Sequence, residues 1–390
     1  MRIIPEIAAF HDDLVAWRRD IHAHPELAYE EFRTADLVAE LLESWGLDVA
    51  RGLATTGVVA TLSRGEGRAV ALRADMDALP ITEANEFAHR SRHEGRMHAC
   101  GHDGHTAMLL GAARYLARHP DFSGTVHFIF QPAEEAAGGA RVMVEEGLFE
   151  RFPADAVFGM HNWPGLAVGR FAMREGPMMA SLDCFDITIE GRGTHGALPH
   201  HGVDPITAAA AVIQALQTIV SRNVDPLRSA VVSVTKIHAG DAYNIVPDRI
   251  ALGGGIRSFE PATREFLRSR IVSVVDGVAK AMGAEGRVEF GFGNPAVLNE
   301  ARSTALAARV AAEVVGADCV EADAEPVLGS EDFAFMLEHK PGCYVFIGNG
   351  AGEGSCMIHN PGYDFNDAIL SLGASYWVRL AQAFLAERST

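Results

Sequence analysis

The chain has 390 residues, 48% hydrophobic and 22% charged, a globular composition at about twice the length one ordinary core occupies. Its formal net charge of −18 excludes nucleic acid as a ligand class, since phosphate binding needs clustered Lys and Arg, but leaves room for an anionic small molecule in a local basic pocket. Five cysteines lie far apart, so free thiols in a reducing compartment, or a thiolate metal ligand, are expected rather than disulfides.

The opening MRIIPEIAAFHDDLVAW has acidic residues where a secretory signal needs an unbroken apolar core. No run approaches the roughly 18 consecutive apolar residues of a membrane helix, so a cytoplasmic protein with no membrane partner is expected. Helical apolar spacing covers 6–22 and 30–45, with Gly46 placed to end the second helix. TGVVATL (56–62) and AVALRA (69–74) predict strands, and the spacing from His105 to Leu116 predicts a helix. TVHFIF (125–130) and AVFGM (156–160) predict strands again, as does YVFIG (344–348) ahead of a final helix near 366–386. Strands alternating with helices imply a largely parallel, helix-covered sheet.

The middle reads differently. Strands are predicted at 183–190, 229–238, 249–258 and 286–292, with helices at 204–221 and 261–282. This βαββαβ order closes into a four-stranded antiparallel sheet covered by two helices, a ferredoxin-like arrangement. The expected fold is therefore α/β, with one domain from 1–181 and 293–390 and a second, 182–292, inserted into it.

The chemistry concentrates in MHACGHDGHTAM (97–108), where Cys100 and His102 can turn toward one cation from a glycine-rich loop, followed by Asp103 and His105. A thiolate beside imidazole suits Zn²⁺, Mn²⁺, Co²⁺ or Ni²⁺. The alternative is a polar loop capping a helix. RADMDALP (73–80) places Asp75 and Asp77 after a strand, QPAEE (131–135) places Glu134 and Glu135 after another, and MHN (160–162) places His161 after a third. Ligands of open α/β sheets bind at the carboxyl ends of strands, so these groups can converge on one cleft. Adjacent Glu134 and Glu135 repel unless a cation or proton intervenes. One arrangement puts Glu135 on the metal and leaves Glu134 to take a proton from water.

Near the C-terminus, GSEDFAF (329–335) and MIHNPGYDFND (357–367) add Glu331, Asp332, His359 and Asp364. In the middle segment, EGRGTHGALPHHG (190–202) carries His195 on a glycine-flanked loop, while Asn244 and Arg257 border predicted strands. Arg257 suits a carboxylate by bidentate pairing.

RRDIHAHPELAYEE (18–31), RADMDALP, MHACGHDGHTAM, FQPAEE, MHNWP, GRGTHGALPH, GSEDFAF and HNPGYDFND together resemble the N-acyl-amino-acid amidohydrolases, the group of hippurate hydrolases and plant indoleacetyl-amino-acid hydrolases. The resemblance spans nearly the whole chain. It implies a zinc-peptidase-like catalytic domain with a dimerising lid, and hydrolysis of the amide bond of small N-acyl amino acids. It further implies two divalent metals on Cys100, His102, Glu135, His161 and His359, with Glu134 as general base and Asp75, Asp77 and Asp103 behind the ligands. His195 would polarise the substrate carbonyl across a homodimer interface, and Asn244 and Arg257 would contact substrate. Three rival readings remain: a Cys-His hydrolase built on Cys100, a non-catalytic protein that binds acylated amino acids, and a dipeptidase or aminopeptidase.

Overall fold

The computed structural model describes residues 1–119, 121–350 and 356–387, which form two compact units. The first comprises Met1–Met178, Leu298–Glu325 and Asp332–Thr390; the second comprises Met179–Val297 and Pro326–Glu331.

The first unit opens with α1 (Pro5–Ala9) and α2 (His11–Ala23). The single helix predicted over 6–22 is thus broken at Phe10. That residue leaves the helical region at φ −111°, and its carbonyl accepts the N–H groups of Asp13 and Leu14 to restart the helix. After α3 (Phe32–Ser44) come β1 (Asp48–Leu53), β2 (Gly57–Arg64), β3 (Ala69–Asp75) and α4 (His102–Arg118). β4 (Gly124–Gln131) leads through the short α5 (Glu134–Ala137), α6 (Gly139–Glu145) and α7 (Leu148–Arg151) to β5 (Ala156–Pro164). Two short strands, β6 (Phe171–Ala172) and β7 (Gly176–Met179), close this stretch.

The second unit contains β8 (Ser181–Glu190), β9 (Thr194–His195), α8 (Pro205–Thr218), β10 (Ala230–His238), β11 (Ile245–Val246), β12 (Arg249–Ser258), α9 (Pro261–Ala281) and β13 (Glu285–Asn294). Its sheet has the order β10-β12-β8-β13, antiparallel throughout. Alternate residues of β8, Phe185, Ile187 and Ile189, point into a core shared with Val212 and Leu216 of α8 and Leu267 and Ile271 of α9. Asp204 starts α8 by accepting the Ile206 N–H, with Pro205 in the first turn.

The chain then adds β14 (Val297–Asn299), α10 (Ala301–Val315), β15 (Val320–Glu321), α11 (Ala334–His339), β16 (Gly342–Gly350) and α12 (Leu370–Ala386). The large sheet runs β1-β2-β4-β3-β5-β16-β6-β15. Its middle, β4-β3-β5-β16, has the parallel character predicted, and β15 also runs parallel to β6 at the far edge. β1 and β2 form an antiparallel hairpin whose turn uses Ala54 and Thr55 at positive φ, and β6 runs against β16, so the sheet is mixed. Asp367–Ala386 is long and apolar enough to cross a membrane, but most of it is buried in the fold, as in a core helix. Because β3, β4 and β5 are parallel, Asp75, Gln131 and His161 all approach the same carboxyl edge of the sheet.

Candidate metal centre

Gly101, at φ +96°, separates Cys100 from His102, the first residue of α4. A side chain at Gly101 would collide with Asn162 Oδ1 beside His161, so only glycine lets this loop close against β5. The ligand-type atoms of Cys100, His102 and His161 lie within 4.8 Å of one another, as do those of Cys100, Glu135 and His359 and those of His102, Glu134 and Glu135. The three sets share members, so all six residues gather at one place.

The imidazoles are oriented from behind. His102 Nδ1 donates to the Asp77 carbonyl at 2.9 Å, which turns its Nε2 inward. That Nε2 is buried with no hydrogen-bond partner among the described residues. His161 Nδ1 donates to the Asn162 carbonyl at 2.6 Å, leaving Nε2 3.3 Å from Cys100 Sγ. Asp77 holds two of the clustered residues, with Oδ1 3.2 Å from His102 Nδ1 and Oδ2 accepting the Glu135 N–H at 2.9 Å. His359, at φ +63°, is fixed by its N–H to the Ala99 carbonyl and brings Nε2 to 3.1 Å from Glu135 Oε1. Such outer contacts fix tautomer and direction in metal-binding histidines.

Electrostatics agree with this geometry. Burial opposes a charge on His102, yet Asp75, Asp77 and Glu135 outweigh it and raise the imidazole to about 10. Burial, then Glu135, Glu134 and Asp75, push the Cys100 thiol well above its ordinary range. Burial and the neighbouring His105 hold His161 well below its own. The site thus holds more negative charge than its own side chains neutralise, together with an orphaned buried nitrogen. Soft and borderline donors in this setting fit a divalent transition metal. A Cys-His nucleophile fits less well, because it leaves Glu134, Glu135, His102 and His359, clustered with Cys100 and His161, without a role.

Asp75 accepts from His105 Nδ1 at 2.6 Å and from Arg73 Nη1 at 2.6 Å. Burial disfavours its charge, but His102, His105 and Arg73 hold it well below the usual carboxylate range. Arg73 also reaches Gln131 and Asp332, and the Asp332 N–H points at Glu134 Oε1 at 3.4 Å. Asp103 belongs to none of the ligand groups. It faces away, toward Arg18 Nε at 2.7 Å and His22 Nδ1 at 2.9 Å, and Asp364 also pairs with Arg18. His195, Asn244 and Arg257 belong to the second unit. His195 on β9 pairs with Ile245 on β11, and the Gly196 N–H donates to the Asn244 carbonyl, so these two residues are neighbours. Arg257 on β12 donates to the Leu328 carbonyl at 2.7 Å.

The sequence reading missed Arg73 and Asn162. Arg73 was detectable as the one cation in a strand that is apolar up to its closing Asp75, a position that demands a buried counter-charge. Asn162 gives no such sign, since its role depends on the close approach of α4.

A mixed α/β sheet with Cys, His and Glu side chains of metal-ligand type clustered beside its carboxyl edge, and a further glutamate among them, has the donor set of a metal-dependent hydrolase. A family model described as Peptidase family M20/M25/M40 matches residues 71–383, and the chain belongs to that family. It is 42% identical over 386 residues to the hippurate hydrolase of Campylobacter jejuni, covering 99% of this chain and 100% of that one. It is 40% identical over 374 residues to the N-acetyl-L-cysteine deacetylase of Bacillus subtilis, covering 95% and 88%. Among solved structures, it matches the YXEP protein of Bacillus subtilis, a dinuclear metal-binding peptidase of the M20 family, with TM-score 0.84 and 36% identity over 97% of this chain and 99% of that one.

Proposed function

We propose that this protein hydrolyses the amide bond of N-acyl amino acids, releasing a carboxylic acid and a free amino acid. The observation that carries this reading is Glu134: a buried carboxylate beside Glu135, at the edge of a cluster whose other members are metal ligands. A pure binding site has no use for that extra base.

Cys100, His102, Glu135, His161 and His359 are the residues that would hold two divalent ions, of Mn²⁺, Zn²⁺, Co²⁺ or Ni²⁺ type. When bound, such ions supply the Lewis acidity that acidifies water and polarises the amide carbonyl. Glu134 takes the proton from the attacking water and returns it to the departing nitrogen. His195 has its Nδ1 accepting the Ala197 N–H at 3.0 Å, so the neutral ring carries its proton on Nε2 and can donate to a developing oxyanion. Arg257, with donors beyond the one given to Leu328, suits the α-carboxylate, and Asn244 beside His195 suits the amide. The second unit acts as lid and dimerising surface, and five unpaired thiols suit a reducing cytoplasm.

The test is a turnover screen of metal-defined protein against N-acetyl, N-benzoyl and indoleacetyl amino acids, with free-amine dipeptides alongside. The acylated substrates should turn over, stop on chelation and resume with Mn²⁺ or Zn²⁺. Cleavage of dipeptides alone, or turnover that survives complete metal removal, would overturn the reading.

A further inference from the structure

The opening motif RRDIHAHPELAYEE supplies none of the proposed ligands and not the proposed base, yet two of its last three residues, Tyr29 and Glu31, reach the turn that carries both glutamates. β4 ends at Gln131, and the chain reverses through Ala133, a buried non-glycine residue in the left-handed region at φ +56°, immediately before Glu134. L-residues leave that region unless the surroundings hold them there.

The holding contacts are specific. The Ala133 N–H donates to Glu31 Oε1 at 2.8 Å, and the Thr56 hydroxyl donates to Glu31 Oε2 at 2.6 Å. The Ala133 carbonyl accepts the Gly139 N–H at 2.9 Å, where a side chain on Gly139 would collide with the Pro132 carbonyl. Tyr29, itself at φ +62°, donates its hydroxyl to the Ala137 carbonyl at 2.9 Å. Glu31 and Tyr29 therefore grip residues 133 and 137, one on either side of Glu134 and Glu135. Glu31 is fully buried and stands within the field of Asp77, where one more acid is electrostatically unfavourable. An apolar residue would fill the space without that penalty, so the acceptor oxygens are what the position requires.

We infer that Glu31 is a positioning residue for the general base, fixing the Ala133 turn so that Glu134 faces the attacking water while Glu135 faces the metals. The inference rests on the reading of Glu134 as base.

Three variants test it. Glu31→Asp keeps the charge but withdraws the oxygens by one methylene. Glu31→Leu removes them, and Glu31→Gln keeps one acceptor for Ala133 while its amide donates to Thr56. The Asp and Leu variants should lose tenfold or more in kcat with KM within about twofold of wild type, bound metal unchanged and Tm nearly so; Gln should restore most of the rate. In the metal-free protein, amide hydrogen exchange across 132–138 should quicken in the Asp variant and not in the Gln variant. If Glu31→Leu fails to fold, Asp against Gln carries the comparison. Wild-type kcat in Glu31→Asp, or a rate loss that merely tracks lost metal or lost folded protein, overturns the inference. Glu134→Gln, measured alongside, separates the two claims: if it stays active the base assignment fails, and if it is dead while Glu31→Asp is fully active only the positioning role fails.

Discussion

Glu134 and Glu135 are neighbours in sequence with opposite surroundings, and their variants should therefore fail differently. Glu135 has its N–H on Asp77 and its carboxylate beside His359, whereas Glu134 faces the Asp332 N–H. Glu134→Gln should keep both metals and lose roughly 10²–10⁴-fold in kcat, the usual range for a general base. Glu135→Gln should lose metal first, which metal analysis after dialysis will read directly. His98 offers a second residue-scale test. Its ring is buried, neither nitrogen has a hydrogen-bond partner among the described residues, and burial lowers its pKa to about 4. Below its unfolded value near 6.5, the unfolded chain binds a proton that the folded chain refuses. Stability is therefore lost as pH falls from about 6.5 to about 4. His98→Phe removes that proton uptake, so the variant should gain on wild type by about 3 kcal/mol across this window. The measurement is the difference between the two chelated proteins in urea, because Glu31, raised by burial and Asp77 to about 7, contributes with the opposite sign. A difference that does not change with pH would refute the assignment.

At the scale of elements, α4 is held at its start by two adjacent residues: His102 faces the cluster, and Asp103 faces Arg18 on α2. Burial works against the Asp103 carboxylate, but Arg18 and His22 hold it well below the usual range. Arg18→Met should leave a buried charge short of its main partner, at a cost of about 3–5 kcal/mol, and should weaken metal retention by loosening the helix that presents His102. Arg18→Met with Asp103→Leu should recover much of the lost Tm, since removing both charges of a buried pair is far milder than removing one. An Arg18→Met protein with wild-type Tm would show that Asp103 does not depend on this cation. The same contacts explain what the sequence left hidden. The second unit's strands were legible because alternating residues such as Phe185, Ile187 and Ile189 carry the period of a half-buried sheet. β1 (DVARGL) has no such period, because an edge strand with mostly exposed side chains leaves no apolar signature. The cysteine, histidine and glutamate motifs were legible because chemistry concentrates them in short runs. Arg18, Glu31 and Arg73 lie 85, 102 and 58 residues from Asp103, Ala133 and Gln131, and no local pattern names partners that only the fold supplies.

For the whole molecule, the decisive fact is that His195 and Asn244 belong to one compact unit while all five proposed ligands and Glu134 belong to the other. The ribbon that carries His195 is built like a surface meant to be covered. Tyr243 is 112% and Ile245 60% exposed on either side of Asn244, and Leu227 and Ile237 of the same unit are also exposed. Exposed apolar side chains on both sides of Asn244 suit an interaction surface, and a two-fold dimer would cover them with one self-complementary face. Such a dimer would also let the loop of one subunit serve the other. The test mixes two inactive variants, His195→Ala and Glu134→Gln, under conditions that exchange subunits. If His195 acts across the interface, each hybrid contains one site with an intact Glu134 from its own chain and an intact His195 from its neighbour. Random exchange leaves about a quarter of all sites complete, so activity should rise toward that fraction of wild type. If His195 serves its own chain, no hybrid contains a complete site and mixing restores nothing. Full activity in His195→Ala alone would remove the residue from the mechanism altogether, and a protein that sediments as a monomer at assay concentration would remove the partner.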